Sequence, residues 1–201
     1  MNVPKLATAG TALAAILVAG LLTSRSGVAA NDKNTTQDEK MKIQIGATIN
    51  PVTLKIGSKD PDTVYLGSYI VNAVGICNEC HTSPSYAAGG NPFLGQTKVI
   101  NAAVYMGGGR AFGPTVTSRN ITPDASGKPA GLSYPDFVQV MRTGIDFDHV
   151  HGATVPLQVM PWPVYQSMTD RDLTAIYTYL STIPCLEGDP GVPGPAHTRC
   201  Q

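Results

Sequence analysis

The sequence Cys77-Asn78-Glu79-Cys80-His81 places two thiols three residues apart, with an imidazole directly after the second thiol. Each thiol can form a thioether with one vinyl group of a haem, while the imidazole binds the iron from one face. The pattern therefore predicts a covalently attached haem c, anchored by Cys77 and Cys80 and ligated by His81. No second such pentapeptide occurs in the sequence, so we expect one haem per chain.

Two other kinds of site also use closely spaced cysteines. A thioredoxin-like redox pair belongs beside alternating strand and helix patterns, and a tetrahedral zinc site requires a second close pair of cysteine or histidine residues. Neither pattern accompanies Cys77 and Cys80, because Cys185 and Cys200 stand far apart in a tail rich in Pro and Gly. The covalent haem is therefore the favoured interpretation.

A haem bound through His81 leaves a second axial position on its iron. Met160 is the favoured ligand, because two prolines restrict the backbone of the Val159-Met160-Pro161-Trp162-Pro163 segment that presents its thioether. The alternative for Met160 is a buried role in packing. Ligation by His149 or His151 is the competing scheme, and a second imidazole would lower the reduction potential that a thioether raises. The remaining candidates are Met106, Met141, Met168 and His197.

A histidine that binds haem iron usually donates its second ring N–H to a backbone carbonyl, which fixes the tautomer and the ring plane. Pro84 and Pro92 both follow the motif and offer such a carbonyl to His81. The sequence does not choose between these two acceptors.

Residues 1–30 resemble an export signal. Lys5 supplies a positive charge, an apolar stretch follows from Ala7 to Leu22, and Val28-Ala29-Ala30 provides small residues for cleavage. An uncleaved membrane anchor is the alternative, since the apolar stretch approaches the ~17 residues that span a bilayer. We expect cleavage and export to the periplasm, an oxidising compartment in which disulfides persist.

The composition predicts a loop-rich domain. Charged residues make up only 14% of the chain, whereas Gly (21) and Pro (16) are frequent. A buried haem would organise such loops by giving them a large apolar surface to pack against. The 14 basic and 14 acidic side chains balance, so no positive field favours binding to nucleic acid.

Residues 31–59 are predicted to form an N-terminal extension. The segment from Asn31 to Lys40 lacks periodicity, and a small β-hairpin follows because apolar residues alternate at 43–45 and again at 52–56. The helix that leads into the haem motif is expected to begin with Asp60 as its N-cap and Pro61 as its first residue.

A long ordered loop is predicted from Thr82 to Leu132, because this stretch is rich in Gly, Pro, Ser and Asn. A second helix should run from Ser133, capped with Asp136, to Gly144. A third should begin at Thr169 and end before Pro184. The haem domain is thus predicted to occupy residues 60–184, with a tail over residues 185–201.

Several motifs follow one another in a characteristic order and spacing. They are Cys77 to His81, Asn120-Ile121-Thr122-Pro123-Asp124, Met160-Pro161-Trp162 with Tyr165, Met168-Thr169-Asp170 and Ala175-Ile176-Tyr177-Thr178-Tyr179-Leu180. Together they resemble the cytochrome c modules of the cytochrome subunits of bacterial membrane-bound alcohol and sugar dehydrogenases, and their single-haem relatives. The resemblance covers roughly residues 61–184. It implies an all-α, class I-like cytochrome c fold, with three to five helices and long ordered loops around one haem, and Met160 as the axial methionine.

The resemblance implies two further details. The first and last helices should cross where Gly67 and the Tyr65/Tyr69 pair meet Tyr177 and Leu180, with the small glycine allowing a close approach. Asn120 and Thr122 should lie in a loop near the haem edge, where they would hold a propionate or order the loop; an ordinary turn is the alternative.

The expected function is that of an exported monohaem c-type cytochrome, which carries single electrons between periplasmic redox proteins and catalyses no reaction itself. One alternative is a fixed electron-transfer subunit of a membrane-bound dehydrogenase, anchored if residues 1–30 are retained. Another is a haem enzyme or gas-binding protein with a labile sixth ligand. In the tail, Cys185 and Cys200 are expected to form a disulfide, with two free thiols as the alternative.

Overall fold

The computed structural model describes residues 26–146, 155–188 and 200–201, with the backbone alone for residues 26–35. These residues are mostly helical, as predicted, and a small antiparallel ribbon of β1 (Ala111–Phe112) and β2 (Val116–Thr117) lies in the long loop. No helix in these ranges is both long and apolar enough to cross a membrane. The helices are α1 (Ser26–Ile49), α2 (Pro61–Tyr69), α3 (Cys77–His81), α4 (Tyr134–Thr143), α5 (Trp162–Tyr165) and α6 (Asp170–Leu180).

The helix starts predicted from capping residues are confirmed. At the start of α2, the Asp60 carboxylate accepts a hydrogen bond from Thr63 N at 2.9 Å, which satisfies an N–H that has no partner within the helix. Ser133 and Thr169 cap α4 and α6 in the same way. Gly144 ends α4 in the left-handed conformation that favours glycine.

The predicted N-terminal hairpin is wrong, because α1 runs through the segment that was expected to be irregular and then a strand. The alternation of Ile43 and Ile45 is too short to distinguish a strand from a helix. Burial in α1 instead follows a helical spacing, with Glu39, Ile43 and Gly46 less exposed than their neighbours. Contact with α2 through Gly46 therefore outweighs the local pattern.

Residues 52–56 keep the predicted alternation of exposure, although they pair with no strand among the described residues. They run from α1 to α2 as an extended segment whose less exposed side chains pack against the core. Lys55 N donates a hydrogen bond to the carbonyl of Thr182 at 2.7 Å. The alternation thus marks extended backbone and not the predicted hairpin strand, and its hydrogen-bond partner is Thr182, two residues after α6.

Helices α2 and α6 pack closely against each other at Gly67, as the family resemblance implied. A Cβ atom placed on Gly67 would lie 2.0 Å from the carbonyl oxygen of Ala175 and 2.6 Å from Cβ of Tyr179. The neighbours differ from the expected Tyr177 and Leu180, because Gly67 meets the backbone of Ala175 and Cβ of Tyr179. Glycine lets the two helix backbones approach more closely than any side chain would allow.

Replacing Gly67 with alanine is expected to lower the free energy of unfolding by about 3 kcal/mol or more, because the new methyl group overlaps fixed backbone atoms. The matched control is Gly127→Ala, where the methyl group meets nothing within 4 Å. That control should cost only ~1–2 kcal/mol, from the positive φ of the residue. Urea denaturation followed by circular dichroism measures both variants, and an equal or smaller loss in Gly67→Ala would contradict the close crossing.

A buried polar network joins the helix crossing to the long loop. The hydroxyl of Tyr179 on α6 lies 3.0 Å from the hydroxyl of Tyr105, which donates to the Asn72 side chain at 2.6 Å. Tyr179 also donates to Asn50 at 2.9 Å. Burial raises the pKa of both tyrosines, so the hydroxyls stay neutral and keep these hydrogen bonds. The network therefore fixes where the chain leaves the core toward residues 106–121.

Candidate functional site

An apolar cavity of about 280 Å³ lies between α3 and the segment that precedes α5. Cys77, Cys80, His81 and Met160 all line it, so the structure brings together the four residues predicted to hold the haem. The volume is close to the lower end of the ~300–1,000 Å³ of small-molecule sites. Most of the remaining wall is apolar, including Ile121, Phe137, Val140, Leu157, Ile176 and Leu180.

Helix α3 is a single turn that carries the attachment motif. Positions i, i+3 and i+4 of a helix share one face, so Cys77, Cys80 and His81 reach the cavity side by side. Ile76 precedes the turn with φ of 49°, a left-handed conformation that costs a β-branched residue on the order of 1–3 kcal/mol. It separates α3 from the preceding π-helical turn of Ile70–Val74.

The imidazole of His81 is oriented by a hydrogen bond to the backbone carbonyl of Arg119, with 2.9 Å between Nδ1 and the oxygen. The predicted acceptors, Pro84 and Pro92, are therefore wrong. Because Nδ1 carries the donated hydrogen, Nε2 is the nitrogen left with a lone pair for a metal. Burial lowers the pKa of His81, which favours the neutral form that binds iron.

Arg119 can reach His81 because the long loop folds back against α3. Gly108 N donates to the carbonyl of His81 at 2.7 Å, and Met106 N donates to the side chain of Thr82 at 3.0 Å. A Cβ atom on Gly108 would lie 2.6 Å from the carbonyl oxygen of Arg119. Glycine at this position, with φ of 75°, therefore gives the Arg119 backbone room beside the histidine.

The side chain of Arg119 forms an ion pair with Asp146 at 3.0 Å, and both residues line the cavity. Their side chains are only 17% and 9% exposed, so the two charges neutralise each other in a mostly apolar wall. Sequence analysis missed both residues. They are 27 positions apart, and no local pattern links an arginine in one loop to an aspartate after α4.

The two thiols of the motif are protonated at neutral pH. Burial, and then the neighbouring Cys80, raises the pKa of the Cys77 thiol to about 12, and burial raises the pKa of Cys80. A thioredoxin-like pair works through a cysteine whose pKa is lowered. The electrostatics of the pair therefore argue against a dithiol redox site and agree with thiols that receive a haem.

Two methionines of the candidate set, Met141 and Met160, line the cavity. Met141 lies on α4 and is 6% exposed within the main core, which agrees with its predicted packing role. Met160 is half-buried in the irregular segment before α5. Met106 and Met168 lie elsewhere, while His149, His151 and His197 fall outside the described residues.

Tyr165 connects the two walls that carry the predicted ligands. It lies on α5, five residues after Met160, and lines the cavity. Its hydroxyl donates to the carbonyl of Gly75, just before α3, at 2.7 Å. Burial raises the pKa of this hydroxyl, so it remains a neutral donor. The contact ties the methionine segment to the helix that carries the cysteines and His81.

Asn120 is not brought to the cavity wall. Its side chain is fully buried and donates to the carbonyls of Leu186 and Gly188, each at 2.8 Å. Its carbonyl oxygen accepts from the backbone N–H of Thr122 at 2.9 Å and from the Thr122 hydroxyl. These contacts order the loop, the second of the two roles expected for this residue, and a contact with a haem propionate stays a prediction.

The tail returns to the loop that carries Asn120. Cys185 and Cys200 lie at disulfide distance, with their Cα atoms 5.7 Å apart. Leu186 N donates to the Thr122 hydroxyl at 3.1 Å. The described part of the tail is thus packed on the loop that carries Asn120 and Thr122, although it lies beyond the sequence motifs that carry the family resemblance.

These residues fit a covalently bound haem. The cavity is apolar, two neutral thiols face it from one helical turn, and the hydrogen bond from His81 leaves Nε2 for the iron. A thioether is available from a second wall. Together they form the donor set that a His/Met-ligated haem requires.

Comparison with curated proteins confirms the predicted resemblance. The chain is 31% identical over 137 residues to the gluconate 2-dehydrogenase cytochrome c subunit of Pantoea cypripedii, covering 66% of this chain and 27% of that protein. It is 30% identical over 122 residues to the cytochrome c subunits of the quinone alcohol dehydrogenases of Gluconacetobacter polyoxogenes and Komagataeibacter europaeus, covering 60% of this chain and 22% of each. The chain therefore spans about a quarter of the length of these relatives. No family model and no solved structure matches it.

Proposed function

We propose that this chain, which is similar to the cytochrome c subunits of bacterial dehydrogenases, is an exported c-type cytochrome with one covalent haem. It carries single electrons between periplasmic redox proteins and transforms no substrate of its own. The observation that carries the proposal is the convergence of Cys77, Cys80, His81 and Met160 on one apolar cavity. Export rests on the signal-like segment of residues 1–30, of which residues 1–25 lie outside the described part.

Each residue has a distinct role in this proposal. Cys77 and Cys80 hold the macrocycle, which keeps the haem in place through repeated electron transfer. His81 would bind the iron, with its orientation fixed by Arg119, and Met160 would supply the second ligand from another wall of the cavity. When bound, the haem supplies one-electron chemistry through the ferric and ferrous states of its iron.

The cavity wall supports a high reduction potential. A thioether ligand favours the ferrous state, and an apolar surrounding disfavours the additional positive charge of the ferric state. Because the Arg119–Asp146 pair carries no net charge, it does little to oppose this preference. The residues of the site therefore suit a protein that accepts electrons from a dehydrogenase.

A fixed subunit of a dehydrogenase complex is the second candidate. The names of the relatives favour it, because each is the cytochrome c subunit of a gluconate or alcohol dehydrogenase. The two candidates differ in how tightly the partner is held. A mobile carrier meets its partners through a small transient surface, typically below ~1,200 Å², and purifies alone, whereas a fixed subunit purifies with its catalytic partner.

An optical spectrum of the purified protein in both oxidation states, combined with a pyridine haemochrome assay, tests the proposal. We expect one haem per chain, resistant to acidified organic solvent, with a sulfur-to-iron band in the oxidised protein. A colourless protein, or pigment that the solvent extracts, would refute covalent attachment. Rapid carbon monoxide binding to the reduced protein at neutral pH would instead support a haem enzyme or gas-binding protein.

A further inference from the structure

Asn120 uses both ends of its side-chain amide to join two separate segments. The nitrogen donates to two carbonyls of the tail, at Leu186 and Gly188, and the oxygen accepts from Thr122 within the loop. The residue is fully buried, so loss of these hydrogen bonds would leave buried polar groups without partners. An asparagine in this arrangement holds the tail and the loop in one fixed relation.

The residue before Asn120 in the chain is the one that orients His81. The carbonyl of Arg119 accepts the Nδ1 hydrogen of His81, and Ile121 N donates to the carbonyl of Met106 at 2.9 Å. The acceptor for the histidine therefore lies in a short backbone stretch that is fixed by Met106 on one side and by the tail, through Asn120, on the other.

The tail packs over this stretch as well as bonding to it. A Cβ atom on Gly107 would lie 2.9 Å from Cδ1 of Leu186, so the leucine covers the loop next to Met106. Leu186 N also donates to the hydroxyl of Thr122. Cys185, directly before Leu186, lies at disulfide distance from Cys200, and the bridge between them would restrict the start of the tail.

We propose that Asn120 is a positioning residue for His81, which uses the tail around Leu186 to hold the Arg119 carbonyl against the imidazole. This inference rests on the proposed function, because it concerns the ligand of the haem iron. A strong hydrogen bond from Nδ1 makes the imidazole more basic. A more basic ligand stabilises the ferric state, so loosening the Arg119 carbonyl raises the reduction potential.

The test compares Asn120→Ala with Asn91→Ala, a variant that also removes an asparagine side chain without changing the charge. Asn91 caps the short 3₁₀ turn of Pro92–Leu94 and does not line the cavity. We expect the ratio of ferrous to ferric protein at a fixed ambient potential to rise about tenfold in Asn120→Ala, which is an upward shift of about 59 mV for a one-electron couple. Asn91→Ala should leave the potential unchanged.

A second readout reports on the hydrogen bond itself. In nuclear magnetic resonance spectra of the ferrous protein, the Nδ1 proton of His81 should shift and exchange faster with solvent in Asn120→Ala and stay unchanged in Asn91→Ala. A general loss of stability would not move this signal in protein that remains folded. An unchanged His81 proton and potential in folded Asn120→Ala would overturn the inference.

The double variant Cys185→Ser with Cys200→Ser keeps the test decisive if Asn120→Ala fails to fold. It keeps the Asn120 side chain and both of its tail acceptors, Leu186 and Gly188, but holds that tail less firmly, so we expect shifts of the same sign and smaller size. No shift in the double variant would refute the role of the tail. Haem content and ligation are measured first on the unmodified protein, so a failure of the proposed function is recognised before any variant is compared.

Discussion

In the Met160→Leu variant, the sulfur-to-iron absorption band of the oxidised protein is expected to disappear. Leucine keeps the approximate volume of methionine and has no donor atom, so the cavity wall survives while the sixth ligand is lost. The reduction potential should fall by on the order of 100 mV or more, within the ~0.8 V that axial ligands span. The potential should fall because the variant loses a thioether, a ligand that favours the ferrous state.

Met141→Leu is the matched control for this prediction. Met141 lines the same cavity, but it belongs to the packed face of α4. We expect its replacement to leave the band and the potential nearly unchanged, with a small loss of stability at most.

Carbon monoxide binding provides a second measurement on the Met160→Leu and Met141→Leu variants. Reduced Met160→Leu protein should bind carbon monoxide readily, whereas the Met141→Leu protein and the unmodified protein should not. If the band survives in Met160→Leu and vanishes in Met141→Leu, the assignment of Met160 is incorrect. If it is absent from the unmodified protein, ligation by His149 or His151 becomes the better explanation.

Replacing both Cys77 and Cys80 with alanine is expected to abolish covalent haem attachment completely. No other cysteine among the described residues lines the cavity, so no thioether is expected there. Any haem that remains would be held only by its axial ligands and by apolar contact, and acidified organic solvent should extract it. Electrophoresis followed by haem staining, together with intact mass, measures the loss.

The double variant Cys185→Ser with Cys200→Ser is the control for the loss of two cysteines. It should retain one haem per chain, because both residues lie in the tail and not in the cavity wall. A covalent haem in the Cys77→Ala, Cys80→Ala protein would contradict the assignment of the attachment site. Loss of haem from the tail variant would show that the tail is needed for attachment itself.

Local signals in the sequence predicted where α2, α4 and α6 begin. The caps Asp60, Ser133 and Thr169 act within one helical turn, so their effect does not depend on distant parts of the chain. The prediction of an N-terminal hairpin was wrong because that segment depends on a contact with a distant part of the chain. Two alternating isoleucines carried little information, and the close contact of Gly46 with the backbone of α2 decides the structure there.

The candidate site also contains residues placed by local geometry and residues placed by distant packing. Cys77, Cys80 and His81 are neighbours in sequence, and helical geometry alone brings them to one face. The acceptor for His81 lies 38 residues away at Arg119, so no local pattern could identify it. Asn120 was recognised from a motif, but its contacts with the tail depend on how distant segments pack.

The long distance in sequence between His81 and its acceptor has a consequence for how the protein matures. The two thiols proposed to bind the macrocycle and the imidazole of His81 all lie in residues 77–81 and emerge together during synthesis. The Arg119 carbonyl is in place only after the intervening loop has folded back, held by Gly108 and Met106. Under the proposed function, the imidazole of His81 is therefore aligned by Arg119 only after this loop has folded, and we expect the final reduction potential only in the fully folded chain.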